Sequence, residues 1–480
     1  CRLPSIEKTK VMRNILPPFR HLGKKVWNSL VGESWGGKGR IVWAMTAPIT
    51  VETLLLSIVA IVNTAIISSD GPSALAAVST VEVLNWLIFG TFQALALGTT
   101  VLVSRAHGSG KKEAVARLSV GSIECIILLT IVYSGLVLLF QDQLVELLFG
   151  KAAPEVAEGI HIYLFGLLVT YPFRGVTLSV IGILRGIART RATLLITVIT
   201  NGLNVGLNVL FVLGLHMGIM GLVWSVAISM TIGLGVSVWM MIRFRRRLGI
   251  KKRDWLSSGP KSIWSILVTS FPFILEDLFF NGGKVIVQAI IVPFGTLALT
   301  ANAVISAWIK IPEIIPRALG VATVPLVGTF LGQKDSGSVR MLTRRFVKIG
   351  SISGLVVNLI LLPIYPWALK SFYHVPEELW QLMWILYGLE TVGYMFFFTA
   401  QTVLPSALRA AGDGAYTTIA ALASMWIYRI GVGYFVSVVL DFQLLGLWCV
   451  WVTEWGVRAL LFYLRYHSGR WEGRQLHGLG

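Results

Sequence analysis

Charge is what this 480-residue sequence has least of: Asp, Glu, Lys and Arg together make up 13% of it, against roughly 25% in a soluble domain. A surface that poor in charge excludes a water-solvated globular fold. Cysteine is scarce too. Cys1, Cys125 and Cys449 are too few and too scattered for a disulfide framework or a thiolate metal site. A chain that opens on Cys1 reads as trimmed, and no cleavable signal is evident. Hydrolase signatures are missing, with no HExxH and no GxSxG. The stretch SRAHGSGKKEA looks like part of a phosphate loop, but Arg105 stands where the first Gly is needed and Lys112 where Ser or Thr is needed. The lone GDG at Gly412 to Gly414 has no partner motif. The expectation is therefore neither an enzyme nor a cofactor or metal protein.

What the sequence has is apolar length. It is 55% hydrophobic, with a mean hydropathy of +0.75, and twelve stretches between residues 41 and 464 are long and apolar enough to span a bilayer. The net charge of +18 would point to nucleic acid in a soluble protein, but its placement points to a membrane. Lys and Arg crowd the N-terminal segment and alternate connections, while the opposite connections hold two, Lys151 and Lys370. That asymmetry predicts both termini in the cytoplasm and a multi-pass protein of the plasma (inner) membrane, with lipid and not nucleic acid as its partner. The resulting division is a basic segment 1–39, a six-helix lobe 40–242, a cytoplasmic linker 243–262, a second six-helix lobe 263–466 and a tail 467–480.

The two lobes repeat each other at an offset of 224 residues. Pro48 meets Pro272, Glu52 meets Glu276, Gly108 meets Gly332, Leu184-Arg185 meets Leu408-Arg409 and Trp224 meets Trp448. Six spans per repeat bring both lobes in from the same side, so the fold class predicted is all-α, two parallel six-helix pseudo-repeats around a central cavity.

Ionisable residues inside spans are costly, and each is a candidate for function. Glu52 and Glu276 each follow a proline, Pro48 and Pro272, by four residues. The proline frees a carbonyl one turn back and kinks the helix, setting oxygen acceptors near a carboxylate. Helix rise of ~1.5 Å per residue puts Glu52 about 18 Å from its helix end, near the midplane, with Glu276 at similar depth. Both are candidate ion-coupling acids, as is Glu390 in the tenth span. Asp277 points away from Glu276 and toward Lys284. Asn201, Asn204 and Asn208 lie on one stripe of the fifth span, with Asn63 as companion from the first. Glu313, between Lys310 and Arg317, reaches both cations at helical spacing. Arg174, Arg429, Glu82, Glu124 and Glu454 stand isolated in the sequence.

These residues are carried by segments that resemble the multidrug and toxic compound extrusion family from about Arg40 to Arg465. ALALGTTVLVSRAHGSGKKEA and ALGVATVPLVGTFLGQKD look like its second and eighth helices with their loops; ILRGIARTR, ALRAAGDG and NVGLNVLFVLGLHMGIMG look like later segments of its lobes. The resemblance implies a monomeric antiporter exporting organic cations or other amphipathic compounds against H⁺ or Na⁺. It implies an acid at Glu276 and polar residues at Asn204 and Asn208. Where many members have Asp before Thr in the first helix, this chain has Asn63-Thr64, which shifts the expected ion site toward Glu276 and Glu390. The alternative is a flippase for a lipid-linked precursor, held by Arg174, Lys284, Lys310, Arg317 and Arg429. A major-facilitator carrier lacks support in the loop after the second helix. The sign of charge in the cavity separates the first two: acid favours cations, base favours lipid phosphate.

Overall fold

The computed structural model describes residues 38–68, 72–149, 154–251, 254 and 259–474, and these form helices joined by short turns, with no strand among them. The first lobe comprises α1 (Gly39–Ser68), α2 (Pro72–Gly108), α3 (Lys112–Leu139), α4 (Pro154–Gly186), α5 (Thr190–Asn208, continued by a π-helical stretch Val209–Gly214) and α6 (Gly218–Leu248). The second comprises α7 (Gly259–Ile291), α8 in two segments (Thr296–Trp308 and Lys310–Gly332), α9 (Ser336–Leu361), α10 (Glu377–Ala410), α11 (Gly414–Val439) and α12 (Gln443–His467). Eleven of these are apolar and long enough to span a bilayer as single helices; α9 becomes the twelfth when joined to Tyr365–Phe372, bent from it by 58°. Large side chains such as Ile242 and Ile427 are exposed on the outside of the bundle, where hydrocarbon replaces water as solvent. The basic segment lies outside the described residues except for Lys38 and Gly39.

Pro48 and Pro272 sit inside continuous helices. Pro48 has no N–H for the Ala44 carbonyl, and the Thr190 hydroxyl, from the first turn of α5, donates to that carbonyl at 3.3 Å. The acceptor expected near Glu52 is thus taken up by the protein itself.

Without a hydrophobic drive between helices in lipid, the lobes join by close approach of small residues. A Cβ on Gly108 would stand 2.2 Å from the Thr329 carbonyl oxygen, and one on Gly332 would stand 2.4 Å from that of Arg105. Gly108 and Gly332 are repeat partners, and so are Arg105 and Thr329, so α2 and α8 cross about a pseudo-two-fold axis. Gly98 approaches Ser270, and Gly90 approaches Asp277, along the α2–α7 seam. Lys38 pairs with Asp335, which caps α9 by accepting from the Ser338 N–H at 3.0 Å. These contacts close the lobes at the face carrying Gly108, Gly332 and Asp335. Asp413 of the GDG turn is clasped by Arg465 at 2.7 Å and Arg474 at 2.8 Å, so that turn is a structural tie for the C-terminal segment, where Trp471 is buried against Tyr466.

Candidate functional site: an ionisable cluster unique to the second lobe

Glu52 and Glu276 occupy equivalent positions with equivalent partners. Arg185 Nη2 meets Glu52 Oε1 at 2.9 Å, and Arg409 Nη2 meets Glu276 Oε1 at 2.5 Å. Each arginine stands one residue before the end of its helix, α4 or α10. The pairing sets both acids level with these helix ends and with the first turns of α5 and α11, nearer that face than the midplane that helix rise alone suggested. Hydroxyls complete both sites. Thr193 and Thr197 donate to Glu52 at 3.3 and 2.8 Å, and Thr418 donates to Glu276 at 3.2 Å.

Along the same α1–α5 seam the asparagines gather. Asn63 donates to Asn204 Oδ1 at 3.1 Å, and Asn208 donates to Asn63 Oδ1 at 3.0 Å. Glu52 and Asn63 are separated by the same number of residues as Thr197 and Asn208, so two helices running in parallel meet at two levels three turns apart. Asn201 stays outside this group, its amide donating to its own helix at the Thr197 carbonyl, 2.9 Å away. A second polar group in this lobe joins residues that looked isolated in the sequence. Tyr163 and Asn85 donate to Glu82 at 2.8 and 2.9 Å, and Arg174 lies 3.8 Å from the Phe89 ring centre.

The second lobe carries a cluster of another kind. Glu313 is buried and accepts from Arg317 Nε at 2.5 Å, the helical pairing expected, whereas Lys310 is exposed at the break in α8 and does not join it. Arg317 is 58% exposed although its partner is buried, and its guanidinium faces Phe398 of α10 at 5.9 Å. Glu390 lies in the same electrostatic group as Glu313 and Tyr394. It is 0% exposed, and neither carboxyl oxygen has a hydrogen-bond partner among the described residues. The next turn of α10, Tyr394–Phe398, is π-helical, a widening often found at functional sites. Arg429, on another π-helical stretch, meets Glu454 at 2.5 Å, and Glu454 also takes Arg458. Asp277 reaches Lys284 through Asn281 instead of directly: Asn281 donates to Asp277 at 3.1 Å and Lys284 donates to Asn281 at 3.0 Å.

The repeat separates architecture from chemistry. The Glu–Arg pairs recur in both lobes. At the offset of 224, however, Lys284, Glu313, Arg317, Glu390 and Arg429 correspond to Ala60, Phe89, Gln93, Gly166 and Val205. What recurs holds helices together; what occurs once is free to serve a task the fold does not require.

Two repeat-related helical lobes meeting about an axis, with ionisable groups opening between spans, define a multi-pass membrane transporter. The MatE family model matches residues 48–210 and again 272–435, two matches that begin 224 residues apart, and the chain belongs to that family. Among its relatives, "Uncharacterized transporter YisQ" of Bacillus subtilis is 25% identical over 446 residues, 89% of this chain and 94% of that protein. "Probable multidrug resistance protein NorM" of Thermotoga maritima is 23% identical over 440 residues, 90% of this chain and 92% of that one. A solved MATE in complex with MaD3S shares the fold at a TM-score of 0.83 and 18% identity, over 93% of this chain and 99% of that chain. A Pyrococcus furiosus transporter of the MOP superfamily does so at 0.81 and 18%, over 93% and 98%.

Proposed function

We propose that the chain is a proton-coupled antiporter exporting amphipathic compounds by alternating access, with Glu390 as the acid that carries the proton. The observation that supports this reading is a fully buried carboxyl with both oxygens unpartnered, in a cluster without a counterpart in the other lobe. An ionised, unpaired carboxylate in such a place is among the costliest arrangements a protein can hold, and binding a cation from the membrane gradient removes that cost. A proton suits the site better than Na⁺. The hydroxyls of the surrounding Tyr365, Tyr387 and Tyr394 are turned to the carbonyls of Met383, Asn358 and Ile309, which leaves aromatic walls and not a ring of oxygen ligands.

Glu276 and Glu52 enter the same cycle as latches: a proton on either releases Arg409 or Arg185. One chain supplies both lobes and all of these residues, and it acts as a monomer. The relatives named for multidrug resistance favour drug-like substrates. A lipid-precursor flippase is the second reading, favoured by one observation, the exposed cations Lys284 and Arg317 in spanning helices.

Proteoliposomes carrying an imposed pH gradient, compared with an imposed Na⁺ gradient, test the coupling. The expected result is efflux driven by the pH gradient in the wild type and its loss in Glu390→Gln, a variant that keeps the shape of the side chain. Glu276→Gln and Glu52→Gln are expected to slow turnover while leaving the pH drive. Wild-type pH dependence in a well-assembled Glu390→Gln protein overturns the assignment.

A further inference from the structure

The chain past α12 is polar, SGRWEGR over residues 468–474, and a segment of that kind stays loose unless something ties it down. Here it is tied at three points. Gly469, at φ +69°, ends α12 and turns the chain back. Trp471 then stacks on Tyr466 at 5.1 Å, donates to the Tyr466 carbonyl at 2.7 Å, and is buried with Phe330 of α8 and Leu342 and Phe346 of α9. Glu472 accepts from Arg340 Nε of α9 at 3.0 Å. Arg474 reaches Asp413 of the GDG turn at 2.8 Å. All three points lie on the second lobe. The first lobe is joined through Arg105 of α2, whose two hydrogen bonds among the described residues both cross the seam. Its Nη1 donates to the Ala411 carbonyl at 3.2 Å, and its Nη2 donates to the carbonyl of Arg474. Arg105 stands three residues before Gly108, where α2 crosses α8. The repeat has no second copy of this arrangement. Thr329, the partner of Arg105 at the offset of 224, donates to its own helix at the Pro325 carbonyl, 2.7 Å away, and the residues matching the start of the segment continue α6 to Leu248.

We propose that residues 468–474 are a clip that holds the transporter closed at this face, with Arg105 as the arm it catches. Trp471 fixes the clip on the second lobe, and Arg474 serves both sides, its guanidinium on the GDG turn and its carbonyl on Arg105. A guanidinium presents several donors in one rigid plane, so it can hold the turn and the clip at once. When the lobes part here, Arg105 leaves both carbonyls together, and the clip therefore sets how much of the resting protein is closed. From the functional reading the proposal takes only that this face opens and closes; it is independent of the coupling ion and of the compound carried.

Spin labels at the exposed positions 112 and 333, one on each lobe at this face, read the closed and open populations of the full chain in phosphatidylcholine nanodiscs, with no gradient and no substrate. Ending the chain at His467 is expected to raise the ratio of open to closed by about tenfold, the worth of one hydrogen bond from a charged group. Arg105→Gln is expected to raise it at least as far. The decisive measurement is the two changes together: a clip that acts through Arg105 adds little once Arg105 is gone, whereas a segment that merely stabilises the second lobe shifts both backgrounds equally. Trp471→Ala, which frees the anchor and keeps the whole chain, is expected to repeat the effect of the shortened chain, and it supplies the reading if that chain does not assemble. An unmoved population in Trp471→Ala, or equal shifts with and without Arg105, overturns the proposal while leaving proton drive through Glu390 standing. Loss of that drive in transport assays leaves the populations, and the clip, as they are.

Discussion

At the scale of single residues, an arginine that touches no substrate decides how an acid behaves. Glu52 is 3% exposed and relies on Arg185, Thr193 and Thr197 for its partners. Removing one member of a buried pair strands the other, at a cost of about 3–5 kcal/mol. Arg185→Met is therefore expected to lower thermal stability in detergent strongly. Arg185→Met combined with Glu52→Gln is expected to recover much of the loss, because no charge is left buried. A double variant no more stable than Arg185→Met alone excludes the pairing as the source. Glu52, Glu276 and their prolines were legible in the sequence as a repeated pattern. Their arginines were present in the same repeat, as Leu184-Arg185 and Leu408-Arg409. The link between the two patterns was not legible, because 133 residues separate each pair and helical periodicity reports only neighbours three or four apart.

At the scale of elements, the crossing of α2 and α8 depends on the absence of side chains. Gly332→Val places methyl groups where the Arg105 carbonyl already stands, so the helices have to part. The expected outcome is a shift of the transport cycle toward the state open at this face, read as increased labelling of a single cysteine placed at Ser270, which is buried on the α2–α7 seam. Unchanged labelling counts against a tight crossing. A smaller effect belongs to α5: Thr190→Val leaves the Ala44 carbonyl without its hydroxyl partner and is expected to cost about 1 kcal/mol in stability. The expected kink sites at Pro48 and Pro272 were readable from composition. That a threonine of another helix would satisfy the freed oxygen required the packed arrangement.

At the scale of the whole molecule, the lobes are tied outside the spans by Lys38 and Asp335. Hydrogen bonds from Lys38 and Ser338 hold the Asp335 carboxyl down at about 2, below its ordinary 3.8. A depressed carboxyl contributes stability that is fully present above the ordinary value and is lost as pH falls toward about 2. Acidification from pH 4 to pH 2 should therefore loosen this tie in the wild type, while Lys38→Met should show less of that pH dependence because its carboxyl titrates closer to the ordinary value. Thermal unfolding against pH of the two proteins checks this. Orientation in the membrane is tested by cysteines: position 251 is expected to label from the inside and position 216 from the outside, as the distribution of Lys and Arg requires; the reverse pattern rejects that topology.

Hydropathy and an offset of 224 residues were enough, by themselves, to determine that this chain is a bundle of twelve spans in two related lobes, because the period of a helix and the thickness of a bilayer are written locally along the chain. They also showed which residues the bilayer should not tolerate. Tertiary packing decided which of those residues are satisfied and which are left over. Glu52 and Glu276, alike in sequence to Glu390 as midspan acids, receive arginines; Glu390 receives none, and Lys284 faces an amide. The distinction arises because the cost of a charge in low dielectric is set by the few ångströms around it, and those neighbours are brought in from helices far away in the chain.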